Sequence, residues 1–121
     1  MEINLNLLPK RIDDNLIIPE EFYKNTSIKQ MDKVYVYGDI TYNVYDEVEI
    51  NLNVEGKMYL IDSINLELIE YPFSLKIEEN LTEIASESTN FYEKDKNILD
   101  IIEFLWENIV LEVPISVTNA A

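Results

Sequence analysis

The 121-residue chain contains no cysteine and no histidine. A disulfide, a zinc finger, a thiolate nucleophile and a Ser-His-Asp triad are therefore out of reach, and with them most common catalytic designs. Glycine and proline are scarce, at two and four residues, which leaves no flexible linker and no low-complexity segment. No repeat recurs at a fixed period. No apolar run approaches the roughly 18 to 20 residues that span a bilayer, and the opening MEINLNLLPK lacks the basic start and long apolar core of a signal peptide. Bases are few as well: nine Lys and Arg stand against 24 Asp and Glu, a formal charge of −15. These absences lead to the expectation of one cytoplasmic domain over residues 1–121, with no membrane contact, no cofactor and no metal.

A hydrophobic share of 47% is enough to fill one core. Its clearest pattern runs from Lys33 to Ile77, where Val34, Val36, Ile40, Tyr42 and Val44, and then Val48, Ile50, Leu52, Val54, Met58 and Leu60, occupy even positions. A period of two means strands with one face on a core and the other in water. Gly38-Asp39 is expected to make a bulge or a bend inside a strand, Tyr45-Asp46-Glu47 a turn, and Glu55-Gly56-Lys57 a tight turn or bulge, because glycine tolerates positive φ. Asp62-Ser63 reads as another turn or bulge. Leu66 to Glu70 and then Phe73, Leu75 and Ile77 follow at strand spacing, and Pro72 between them points to an edge strand.

The flanks carry different signals. Glu2 to Leu8 alternates Ile3, Leu5 and Leu7 as a short strand stopped by Pro9, and Asn15 to Ile18 reads as extended. Pro19 suits the start of a short helix holding Glu20, Glu21, Phe22 and Tyr23. The polar stretch from Glu78 to Lys96, with Glu83, Glu87, Glu93 and Asp95, lacks the spacing of a calcium loop and is expected to be solvated. Asp100 and Glu103 form a D-x-x-E helix start, after which Ile101, Ile102, Leu105 and Ile109 make an apolar stripe on a helix running to about Leu111. Trp106 lies beside that stripe, as a core flank or as an anchor for a partner. Pro114 ends the helix, and Ile115 to Val117 fits a last short strand. The fold expected is α+β: an antiparallel β-sheet, as a partly open barrel or a split sandwich, with one C-terminal α-helix packed on it.

Charge is uneven along the chain. Seven acids and five bases up to Tyr45 give −2, and seventeen acids and four bases from Asp46 onward give −13. Such a surface repels phosphate backbones and attracts basic proteins. DNA is not expected as a partner. The bases Lys10, Arg11, Lys24, Lys29 and Lys33 leave direct RNA contact open, against the plainer reading of a mixed solvated face beside Asp13, Asp14, Glu20 and Glu21. The sole carboxylate pairings that suggest acid–base chemistry are Asp62 with Glu67 or Glu70, and no enzyme is expected.

Two segments together resemble the YceD family, bacterial proteins named for accumulation of large-subunit ribosomal RNA. The family's segment resembles L-P-C-x-R-C-L-E-x-x-x-x-P, and here Leu60, Leu66, Glu67 and Pro72 keep the frame while Asp62 and Asn65 stand where the thiols would be. A second family segment resembles D-L-x-x-x-x-x-E-x-I-L-L-x-L-P, matched by Asp100-Ile101, Glu107, Ile109-Val110-Leu111 and Val113-Pro114. If the thiols serve a metal or redox role in the family, this chain either has lost it or holds the corner by hydrogen bonds from Asp62 and Asn65, since an Asx side chain can stabilise a turn in that way. The resemblance implies a non-enzymatic role in ribosome biogenesis. Added to the acidic surface, it points to a basic ribosomal protein or large-subunit assembly factor as partner, the alternative being an acidic adaptor or a nucleic-acid mimic that blocks a basic protein.

Overall fold

The computed structural model describes residues 1–81, 92–93 and 98–113. Its centre is the long alternating stretch, which folds into three antiparallel strands joined by local turns: β4 (Val34–Tyr42), β5 (Val48–Ile61) and β6 (Leu68–Asn80). β5 is the hub. β6 runs along one of its edges from Ile61↔Leu68 to Glu49↔Asn80. On its other edge β4 pairs with Val48 to Glu55, and β3 (Ile28–Met31) pairs farther on with Met58 to Leu60. β2 (Lys10–Leu16) lies outside β4. The five strands form a curled half-barrel, nearer to the partly open barrel than to the split sandwich.

The period of two sets which side faces inward. Ile12↔Gly38, Gly38↔Leu52 and Leu52↔Ile77 make one continuous row on the core side, with Val36↔Val54 and Val54↔Leu75 next to it. Valine and isoleucine suit such rows because their branched side chains pack well on a pleated surface. α1 (Glu20–Tyr23), a single turn begun by Pro19, carries Glu20 and Glu21 where acids favour a helix start. Edge placement of Pro72 agrees with the topology: among the described residues, β6 has β5 as its one partner strand.

A small second sheet holds β1 (Glu2–Asn4), β8 (Ile98–Asp100) and β7 (Tyr92–Glu93) in the order β1-β8-β7. The strand expected over Glu2–Leu8 is thus shorter and lies outside the large sheet. Asn4 accepts a hydrogen bond from the Asn6 N–H at 2.9 Å, which starts a 3-10 turn over Leu5–Leu7 and turns Leu7 out to solvent. Of the extended segment expected at Asn15–Ile18, Asn15 and Leu16 end the longer β2, and Ile17 and Ile18 follow it outside any strand.

Three further expectations are corrected. β4 and β5 pair through Gly38 with no register shift, so Gly38-Asp39 makes no bulge. Gly56 makes neither turn nor bulge: it sits inside β5 opposite Phe73, where a Cβ would come within 2.6 Å of Val34 Cγ1 and 2.7 Å of Phe73 Cζ. Its role is room for packing. Finally, Glu78, Glu79 and Asn80 belong to β6 and Leu81 is buried, so the polar stretch begins as strand; Glu93 lies in β7, while Glu83, Glu87, Asp95, Pro114 and Ile115–Val117 fall outside the described residues. The turn at Tyr45-Asp46-Glu47 is present, and it carries Val44 out of the inward row into solvent.

The C-terminal helix α2 (Ile101–Ile109) starts as the D-x-x-E spacing requires: Asp100 Oδ1 accepts the Glu103 N–H at 3.2 Å. The Ile101 N–H donates to the Met1 carbonyl at 3.0 Å, which fastens the helix start to β1. Ile101, Phe104, Leu105 and Ile109 are buried, at the spacing of one helix face. Phe104, absent from the expected stripe, takes the place assigned to Ile102, which lies toward the flank and is half-buried. Helical geometry tightens to a 3-10 turn over Val110–Glu112, and Leu111 is rotated out to 80% exposure.

Candidate functional site

Since even positions of β4 and β5 point into the half-barrel, odd positions build its outer face. Cross-strand pairing places Asn15, Tyr35, Glu55 and Ser74 in one row, Asp13, Tyr37, Asn53 and Lys76 in the next, and Arg11, Asp39, Asn51 and Glu78 in a third. Tyr35 and Tyr37, two residues apart on one strand, stack with ring centroids 5.2 Å apart. The Tyr35 hydroxyl donates to Asp13 Oδ1 at 2.5 Å, and this bond holds the phenol's pKa above its ordinary value, with burial as a lesser cause. Tyr59 farther along β5 repeats the motif, donating to Asp32 Oδ2 at 3.1 Å, and its pKa is raised for the same reason.

The bases on this face are already engaged. Arg11 lies 3.8 Å from Asp39, Lys76 lies 3.0 Å from Glu78, and Lys57 pairs with Glu70. The Glu70 carboxylate is the main reason the Lys57 pKa is raised. Such exposed pairs add little stability. Their consequence is that Asp13, Glu49 and Glu55 have no pairing cation among the described residues. The outer face is therefore a tyrosine platform with excess negative charge. The alternation that marks the even positions as core leaves Tyr35, Tyr37, Asn51, Asn53 and Glu55 at the odd ones, a polar, aromatic stripe that is a signal for this face in the sequence itself.

The family-like corner lies between β5 and β6. Leu60 is buried at the end of β5, and Asp62 is buried at 2% exposure. Asp62 Oδ1 accepts the N–H of Ile64 at 2.7 Å and of Asn65 at 3.2 Å, while its backbone N–H donates to the Glu67 carbonyl at 2.8 Å. Asn65 Oδ1 accepts the Glu67 N–H at 3.0 Å. Asp62 and Asn65 hold the corner by Asx hydrogen bonds. The Asp62 carboxylate is committed to its own turn, and Glu70 to Lys57. Removing the side chain in Asp62→Ala leaves two turn N–H groups without their acceptor, and about 1 to 3 kcal/mol of stability should be lost in urea unfolding. Asp62→Asn, which keeps an oxygen, should lose less than half of that.

The second motif segment stands on α2. Asp100 is its cap, Glu107 is exposed, and Leu111 lies in the terminal 3-10 turn. Trp106 is half-buried, its ring 6.2 Å from Phe22 in a stacked arrangement and 6.5 Å from Tyr23, so it flanks the core by joining α2 to α1. Neither a protein-family model, nor a curated protein, nor a solved structure matches this chain. Among the described residues no helix is long and apolar enough to cross a membrane, and no group of three or more acidic side chains is arranged to hold a metal ion. The five N-terminal bases are spread over β2, the end of α1, β3 and the segment before β4.

On α2 the Glu103 carboxyl has a raised pKa: burial raises it, and the like charges of Asp100 and Glu107 add to the effect. The fold thus disfavours its charged form. Between the unfolded-chain value, about 4.3, and the raised folded value, the native state binds more protons than the unfolded one, so stability falls as pH rises through that window. Glu103→Gln should melt higher than the wild type at pH 7, and the gap should close below about pH 4, as thermal melts across that range will show.

Proposed function

We propose that this chain is a non-enzymatic ribosome-biogenesis protein of the YceD type, acting in the cytoplasm to support accumulation of large-subunit ribosomal RNA. It does so by docking a basic ribosomal protein or assembly factor on the outer face of β2, β4, β5 and β6. The observation that carries the docking surface is the state of its charges. Every base on that face sits in an ion pair, and Asp13 and Glu55 remain beside the Tyr35–Tyr37 stack, with Glu49 farther along β5 opposite Thr41. An arginine brought by a partner finds there both a carboxylate and an aromatic face, a combination it uses well. The ribosomal assignment of the partner rests on the two motif frames at Leu60–Pro72 and Asp100–Pro114.

The test is recovery of the tagged chain from its own cells at low and moderate salt, with protein and RNA in the eluate identified. Large-subunit ribosomal proteins or precursor RNA that weaken with salt support the role. Glu55→Lys, which reverses an exposed charge without touching the core, should reduce that recovery by about fivefold while leaving the melting temperature in place. Recovery of a single nucleic-acid enzyme unconnected to ribosomes overturns the ribosomal role in favour of the acidic mimic.

A further inference from the structure

The two turns that flank β5 are built alike, and the likeness isolates one residue. In the first, Asn43 Oδ1 accepts the N–H of Tyr45 at 2.8 Å and of Glu47 at 3.0 Å, the Asn43 N–H donates to the Glu47 carbonyl at 2.9 Å, and Asp46 takes φ +59°. In the second, Asp62 does the same for Ile64 and Asn65, its N–H closes on the Glu67 carbonyl, and the left-handed position, φ +60°, falls on Leu66. Aspartate and asparagine tolerate that conformation, and leucine is poorly suited to it. Nor does the core gain from this leucine. Leu66 is 73% exposed, and Ile64 and Leu68 beside it are 77% and 59% exposed. The turn thus holds three large aliphatic side chains in water on a backbone already shaped by Asp62.

We propose that this turn is an apolar docking knob, whose Ile64, Leu66 and Leu68 seat in an apolar cleft rimmed by Lys or Arg on a partner protein. Charge selects that occupant. Between Lys57 and Lys76 the chain has no base, while Glu67 is exposed within the knob and Glu70 follows it. A second copy of the chain would bring another Glu67 and another −15 of charge, and an anionic lipid layer would be repelled in the same way. A cleft with a cationic rim meets both the apolar side chains and the carboxylate. The knob is an inference separate from the outer-face reading, since it depends on the turn and not on the tyrosine platform.

The test places photoreactive benzoylphenylalanine at position 64 of the full chain, irradiates the cells that naturally make it, and maps the adducts. One discrete adduct is expected, to a basic protein whose cross-linked segment is apolar and flanked by Lys or Arg. Adding Leu66→Asn should cut its yield by about fivefold, as loss of an anchoring side chain does. The same variant should melt no lower than its parent, because asparagine suits φ +60° better; a purely structural role for Leu66 predicts the opposite. No discrete adduct, an adduct of two copies, a lipid adduct, or an adduct whose yield ignores Leu66→Asn overturns the knob. An adduct to a basic protein outside the ribosome supports the knob and overturns the ribosomal role instead.

Discussion

Gly38→Ala should unfold or nearly unfold the domain, with a loss of about 4 kcal/mol or more. The backbone at Gly38 has φ +149°, a region closed to residues with a Cβ. The space is closed as well: an added Cβ would lie 2.1 Å from the Asn51 carbonyl oxygen and 2.9 Å from Leu52 Cα, both main chain of the neighbouring strand. Neither can withdraw without parting β4 from β5, and β4 is also what holds β2. Gly56→Ala is the control. There the obstructing atoms are side-chain ends of Val34 and Phe73, which can shift, so overpacking should cost about 1 to 3 kcal/mol. Urea unfolding of the two variants checks the difference. Equal losses would show that main-chain contact at Gly38 is not what demands glycine.

The second large effect is expected at Leu105→Ala, with a loss of about 2 to 5 kcal/mol. Leu105 has no exposed surface and lies on the face of α2 that also buries Ile101, Phe104 and Ile109. Truncation removes its transfer free energy and leaves a cavity that a helix clamped at its start, by the Asp100 cap and by the Ile101 bond to Met1, is poorly placed to close. Leu111→Ala, on the exposed terminal turn of the same segment, should change stability by less than about 0.5 kcal/mol. The denaturation midpoint should move for Leu105→Ala with little change in slope. A shift below about 0.5 kcal/mol there would mean that α2 buries another face.

Periodicity made the core strands and the helix legible. Val34, Val36, Ile40, Ile50, Leu52 and Val54 were assigned to the core by position alone, and all are buried. The Asp100 cap and the Asx bonding of Asp62 were legible for a similar reason, since both are local hydrogen bonds spanning two or three residues. The errors came where long-range contact decides. Gly56 was assigned to a turn or bulge because glycine often makes one, yet its cause is Phe73 on the next strand, seventeen residues on. Phe104 was missed because adjacent Phe104 and Leu105 can both face a core only if the helix is rotated to suit the sheet it meets.

The candidate site divides in the same way. Asp62, Asn65 and Glu67 were read from one short segment and do form one turn. The tyrosine platform joins Asp13, Tyr35, Tyr37 and Glu55 from three strands, and only strand order and register bring them to one face. By itself, the sequence determined the α+β class, the inward rows, the helix start and the excess of negative charge, because these depend on period, spacing and composition. Tertiary structure decided the half-barrel, the two glycines' roles and the neutralised bases of the outer face, because each depends on which distant strand comes to lie alongside.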